Sequence, residues 1–150
     1  MKLHTRKQAP KEGEAPEKKV EPYVTKLEDY LKFLVDSQHV YSTFEDIIKS
    51  NSELVCLENT GLERTDALEV DIEFIMSEYG LVRPPVGKWG VEYAQLISEM
   101  QSDIPIFVCH YYNHYFAHTA GGRMIGKQMS ALLLDKKELE FYKVCLYLAH

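Results

Sequence analysis

Apolar residues recur at helical spacing over long stretches of the chain. Between residues 26 and 49 the large apolar side chains stand three, four or seven positions apart, so they fall on one face of an α-helix. The members of this stripe are Leu27, Tyr30, Leu34, Tyr41, Phe44 and Ile48. Thr25 and Glu28 have the spacing of a capping box, which predicts that the helix starts beside Thr25.

A second stretch with helical spacing covers residues 60–79, after a polar loop at 50–59. Its apolar face consists of Leu68, Ile72, Ile75 and Tyr79. Gly80 stands where a C-terminal glycine ends a helix. A third helix is predicted over residues 89–101, directly after the proline-rich turn at 82–90.

The fourth predicted helix begins near Asp103, which can cap it, with Pro105 in the first turn, where a missing N–H has no consequence. It continues through two adjacent glycines to about residue 134, and a last helical piece covers 136–148. No segment shows the alternation of a β-strand. The predicted fold class is therefore all-α, with the helices packed around a shared core.

Composition narrows the class of protein. Residues 8–22 combine prolines, a glycine and many charges, which predicts a flexible loop within a single domain spanning residues 1–150. The net charge of -6 and pI near 5.5 disfavour nucleic-acid binding. Three widely separated cysteines disfavour a disulfide framework and indicate a reducing compartment. No run is apolar enough to cross a bilayer and no signal or transit segment is recognisable, so we expect a soluble chain without an address label.

The fourth helix carries an unusual combination of histidines and glycines. His110, His114 and His118 recur every four residues, and Gly121 and Gly122 continue the stripe. Each glycine inside a helix is less favourable than alanine by roughly 1 kcal/mol, so the missing side chains need a reason.

Three interpretations are open. The histidines could make internal hydrogen bonds while the glycines let another helix approach. His110 and His114 could hold a transition metal as an i, i+4 pair, although no carboxylate completes a known zinc motif. The glycines could instead expose backbone to a flat ligand such as a porphyrin, with His4 as an axial ligand from another element.

At these residues the sequence resembles the plant-type heme oxygenases. The matching stretches are MKLHTRKQA at 1–9, YLKFLVDSQHVY at 30–41, NTGLERTDAL at 59–68, FVCHYYNHYFAHTAGGRMIG at 107–126 and ELEFYK at 138–143. The resemblance implies a helical bundle in which heme lies between a proximal helix and a bent distal helix.

The resemblance also implies roles for individual residues. His4 matches the proximal iron ligand, and Gly121 with Gly122 matches the glycine pair of the distal helix. Tyr112 falls where the family tends to place a tyrosine near the pocket. His118 stands where many relatives have an aspartate that orders water, and we expect it to support catalysis with the two glycines.

The activity that the resemblance implies is oxygen-dependent cleavage of heme to biliverdin, carbon monoxide and ferrous iron. The implied partners are reduced ferredoxin as electron donor and a reductase that uses biliverdin, in the plastid stroma and toward the phytochrome chromophore. Members of the family extend further at both ends. We therefore expect an incomplete bundle, and the alternative function is a heme-binding protein with weak or no turnover.

Overall fold

A computed structural model describes residues 24–143, and every regular element in that range is helical, which confirms the all-α class. The five α-helices are α1 (Leu27–Ser50), α2 (Thr65–Tyr79), α3 (Lys88–Glu99), α4 (Ile104–Ala117) and α5 (Arg123–Leu133). Within this range no helix is both long and apolar enough to cross a membrane. The predicted loop at 8–22 and His4 lie outside the described residues.

Helix α1 is the centre of the fold, because α2 and α3 both pack along it. Its buried face confirms the predicted stripe from Tyr30 to Ile48. Helix α4 meets α1 through large rings: Phe44 lies 5.5 Å from Phe107 and 6.0 Å from Tyr111, measured between ring centroids. These aromatic side chains fix the position of α4 and of the histidines that it carries.

The starts of α2 and α3 are capped by carboxylates of α1. Glu45 is buried and accepts hydrogen bonds from the backbone N–H groups of Arg64 and Thr65, at 2.7 and 3.1 Å. Asp36 accepts one from the N–H of Gly87, at 2.6 Å. Amide groups that the helices cannot pair internally are thus satisfied by a neighbouring helix.

The predicted capping box of Thr25 and Glu28 is wrong. Lys26 occupies the N-cap position of α1, and its side chain makes no capping hydrogen bond. Two other local signals are confirmed: Asp103 accepts a hydrogen bond from the N–H of Ile106, and Gly80 ends α2 in the left-handed conformation, with φ of +65°. Helix α2 begins at Thr65 rather than near residue 60, because Glu45 caps it there.

The chain after α5 also differs from the prediction of a helix over 136–148. Asp135 and Lys136 have φ values of +48° and +67°, which interrupts the helix, and residues Glu140–Tyr142 form a single 3-10 turn. Residues 144–148 lie outside the described range. The loop predicted at 50–59 contains a second 3-10 segment, Ser52–Leu57.

Candidate functional site

Helices α4 and α5 follow each other almost without interruption, as the sequence predicts, but a π-helical turn at His118–Gly122 joins them. A π turn places an extra residue in one helical turn and often marks a functional site. Here that turn contains both adjacent glycines and His118. The side chains around this turn lie on two faces, one of which is exposed while the other lines a cavity.

One face is turned away from the core. Tyr112, Phe116 and Met124 are 59%, 55% and 65% exposed, and the rings of the first two stack 5.3 Å apart. Between them lie the small exposed residues Ala117 and Ala120. We name these five residues the outer strip. It is an exposed surface of apolar and aromatic side chains that includes two alanines.

The other face points into the protein and ends in an open cavity of about 290 Å³. The cavity lies between α1, the π turn and the segment after α5. We name it the glycine cavity, and its lining includes Phe33, Tyr41, His114, His118, Gly121, Gly122, Phe141 and Tyr142. Ala117 of the outer strip lines it as well, so the cavity and the strip are continuous.

The two glycines differ in what surrounds them. A methyl group added at Gly121 would meet nothing within 4 Å, so this residue leaves bare backbone facing open space. A methyl group at Gly122 would lie 3.1 Å from Nδ1 of His118. Gly122 therefore makes room for the imidazole, and Gly121 keeps the cavity wall low.

His118 is held in one orientation. It is only 8% exposed, and its Nε2–H donates to the carbonyl oxygen of Phe141 at 2.8 Å. A carbonyl can only accept, so Nε2 carries the proton and Nδ1 presents its lone pair. Burial lowers the pKa of His118 to about 4, which outweighs the opposing effect of that hydrogen bond. The ring is therefore neutral at physiological pH.

His114 lies one turn earlier with a less complete set of contacts. Its ring stacks on Phe44 at 5.5 Å, and burial, with a smaller effect of His118, lowers its pKa to about 4. Its Nε2 is buried and has no hydrogen-bond partner among residues 24–143. A buried ring nitrogen of this kind can accept or donate one more hydrogen bond.

His110 turns to a different neighbour, the hydroxyl of Tyr93 at 3.2 Å from its Nδ1. Over residues 24–143, the structure contains no group of three or more His, Cys, Asp or Glu side chains arranged to hold a metal ion. The internal hydrogen bonds of the first interpretation are present for His110 and His118.

The structure brings His118, Gly121 and Gly122 together in one cavity. It places Tyr112 on the outer strip, where Tyr112 also lines a separate cavity of about 300 Å³ together with Phe116 and Arg123. His4, the expected axial ligand, is outside the described range.

Sequence reasoning did not identify the residues that fix His118. Phe141 supplies the carbonyl and Asp71 supplies the carboxylate that accepts from the backbone of the same turn. A buried acid on the apolar face of α2 was the available signal, since such groups need hydrogen-bonding partners.

Comparison with known proteins places these features in context. No family model matches the chain. It is 46% identical over 151 residues to "Heme oxygenase 1, chloroplastic" of Arabidopsis thaliana, in an alignment that covers 95% of this chain and 53% of that protein. It is 47% identical to the protein of the same name from Oryza sativa subsp. japonica, in an alignment that covers 95% of this chain and 50% of that protein.

A third relative is "Probable inactive heme oxygenase 2, chloroplastic" of Arabidopsis thaliana, which is 39% identical over 128 residues, or 83% of this chain and 42% of that protein. The chain thus spans about half the length of the first two relatives, or less in the case of the third.

Proposed function

Because the chain is homologous to the plant chloroplastic heme oxygenases over 95% of its length, we propose that it binds heme and cleaves it to biliverdin, carbon monoxide and ferrous iron. The observation that carries this proposal is the glycine cavity. Bare backbone at Gly121 lies beside two neutral histidines, His114 and His118, on the wall of one open space.

The surface fits the flat side of a porphyrin. Ala117, Ala120 and Gly121 have small or no side chains, and Phe116 and Met124 are each more than half exposed. Burial of this apolar area against a macrocycle is favourable by roughly 25 cal/mol for each Å² removed from water. Tyr112 extends the same surface and is proposed to contact the ring edge.

His118 is proposed to hold a water molecule beside the bound substrate. Its Nε2 is already engaged by Phe141, so only Nδ1 is available as an acceptor on the side of Gly122. A neutral acceptor in this place can orient a water O–H without adding charge to the cavity.

His4 is proposed as the residue that would hold the heme iron. When bound, heme is both the substrate and the centre at which dioxygen is activated. Reduced ferredoxin is the proposed electron donor and a biliverdin-using reductase the proposed consumer of the product. We further propose the plastid as the site of action, because the relatives are named chloroplastic.

A titration with hemin tests the proposal directly. We expect the Soret band of hemin to shift and sharpen when the full chain is added, and biliverdin and carbon monoxide to form after addition of reduced ferredoxin and oxygen. His4→Ala should remove the proposed iron ligand and move the band toward that of free hemin. His39→Ala changes a half-buried histidine of α1 and is the matched control, for which the spectrum should stay unchanged. A Soret band that keeps the position and shape of free hemin would contradict the proposal.

One relative favours a second candidate function. The protein named as a probable inactive heme oxygenase shares 39% identity with this chain, so the sequence pattern is compatible with a protein that binds heme without turnover. The same titration separates the two functions, because the second gives a Soret band that depends on His4 but no biliverdin.

A further inference from the structure

Asp71 is a buried carboxylate that lies outside the glycine cavity. It is 3% exposed on α2, where the sequence pattern predicts only apolar contacts. Its Oδ1 accepts from the N–H of Glu140 at 2.8 Å and its Oδ2 accepts from the N–H of Phe141 at 2.7 Å. Burial raises the pKa of Asp71, although the two amide groups act against that shift. Both oxygens of this side chain thus hold one short turn.

That same turn carries the carbonyl that orients His118. The oxygen of Phe141 accepts the Nε2–H of His118 at 2.8 Å, and the ring of Phe141 lies 4.1 Å from the imidazole. A continuous set of hydrogen bonds therefore runs from Asp71 through the backbone of Phe141 to His118. Every link in it is buried.

The turn has other attachments. The N–H of Tyr142, which belongs to the same peptide group as the Phe141 carbonyl, donates to the carbonyl oxygen of Leu139 at 3.3 Å. The hydroxyl of Tyr142 pairs with that of Tyr30 at 3.1 Å, and the ring of Tyr142 fills the space left by the missing side chain of Gly126. These contacts fix where the turn lies. The two hydrogen bonds to Asp71 hold the two peptide groups that precede the one with the Phe141 carbonyl, through the N–H groups of Glu140 and Phe141.

We propose that Asp71 is a positioning residue for His118: it fixes the turn at Glu140–Tyr142, and that turn fixes the imidazole with Nε2 protonated and Nδ1 facing the glycine cavity. The inference deepens the proposed function and rests on it for its catalytic meaning. The orientation of His118 itself does not depend on heme. The charged or titratable groups around the imidazole are Arg64, Arg123 and His114, with Asp71 behind the turn.

The first test is nuclear magnetic resonance of the full chain labelled with ¹⁵N-histidine, without heme. Long-range couplings of the ring nitrogens distinguish the two neutral tautomers, and a titration gives the pKa of His118. We expect the Nε2–H tautomer in the wild type. In Asp71→Asn and Asp71→Ala we expect mixed tautomers and a pKa raised by at least one unit, because the loosened turn admits water. Glu73→Gln, an exposed carboxylate of the same helix, should leave both readouts unchanged.

A second pair of variants changes Glu140, whose N–H donates one of these hydrogen bonds, and keeps Asp71 itself. Glu140→Pro removes one amide that donates to Asp71, and the extended conformation of Leu139, with φ of −78° and ψ of 149°, accepts a following proline. Glu140→Ala removes the same side chain and its ion pair with Lys143 but keeps the amide. We expect a partial shift of the His118 tautomer in Glu140→Pro and none in Glu140→Ala.

Turnover provides the second readout. With hemin bound, the Asp71 variants should lose at least tenfold in the rate of biliverdin formation while hemin affinity changes less than threefold, since Asp71 does not touch the proposed heme surface. If Asp71→Ala does not fold, the His118 tautomer and pKa in Asp71→Asn and Glu140→Pro test the inference. Folded variants whose His118 keeps the wild-type tautomer and pKa would overturn the inference. A chain that forms no biliverdin at all contradicts the proposed function and leaves the resonance result to decide the positioning role.

Discussion

At the scale of single residues, the adjacent glycines illustrate how one sequence feature serves two purposes. Gly122 accommodates the ring of His118, while the position of Gly121 opens onto the cavity without any neighbour within 4 Å. The sequence predicted that both side chains are missing for the same ligand. The structure divides the reason: both positions line the glycine cavity, but only at Gly121 would an added side chain project into open space.

Gly121→Ala should therefore separate stability from ligand binding. We expect the free energy of unfolding to rise by about 0.5–1 kcal/mol, since alanine loses less backbone entropy in a helical conformation and meets no neighbour. Hemin affinity should fall about tenfold, or roughly 1.4 kcal/mol, because the methyl group occupies the proposed contact surface. Urea unfolding and hemin titration measure the two quantities.

Gly122→Ala is the matched comparison for that experiment. Its methyl group presses on Nδ1 of His118, so we expect a smaller gain in stability, or none. Equal hemin affinity for Gly121→Ala and the wild type would show that the bare backbone has no part in binding.

At the scale of elements, the starts of α2 and α3 depend on acids of another helix, α1. Asp36 and Glu45 cap α3 and α2, and Asp71 caps the turn after α5. These pairs are separated by 51, 19 and 70 residues along the chain. Local patterns alone could not reveal them, which is why the start of α2 was predicted five residues too early.

Glu45→Ala should destabilise the protein by about 2 kcal/mol, because the amide groups of Arg64 and Thr65 lose their shared acceptor in a buried place. Asp46→Ala is the control, since Asp46 is exposed on the next position of α1. That control should change the free energy of unfolding by less than about 0.5 kcal/mol. Chemical denaturation of the two variants checks the difference, and equal effects would rule out the capping role.

At the scale of the whole molecule, two buried neutral histidines make stability depend on pH. The pKa values of His114 and His118 are lowered from 6.5 to about 4 by burial. The unfolded chain takes up protons near pH 6.5 and the folded chain only near pH 4, so stability is lost as the pH falls through this window. Burial of the two neutral imidazoles therefore makes the folded state less stable at acidic pH.

We expect the free energy of unfolding to drop by on the order of 3–5 kcal/mol between pH 7 and pH 4.5, because each of the two histidines contributes about 2 kcal/mol. His114→Phe should reduce that drop, since phenylalanine keeps the ring contact with Phe44 and removes one titrating group. Urea unfolding at a series of pH values measures the slope. A variant with the wild-type slope would mean that His114 titrates in the folded protein as it does in water.

Hemin should stabilise the whole molecule, because a ligand that binds only the folded state shifts the unfolding equilibrium toward that state. A ligand that binds only the folded state at a hundred times its Kd adds about 2.7 kcal/mol to the free energy of unfolding. We expect the thermal midpoint to rise with hemin concentration, and to rise less in His4→Ala. A midpoint that is indifferent to hemin in both proteins would contradict a heme site at this surface.

The sequence by itself determined the helical class, the approximate extents of α1, α3 and the α4–α5 segment, the Asp103 cap and the relationship to the plant heme oxygenases. Each of these depends on spacing over a few residues or on matching letters, both of which are local. Only the tertiary structure decided that His118 keeps its proton on Nε2 and that the position of Gly121 is open while that of Gly122 is crowded. It also decided that Asp71 holds the turn at Glu140–Tyr142. A buried polar group is satisfied by whatever packing brings within 3 Å of it, and that distance is not encoded in any short stretch of sequence.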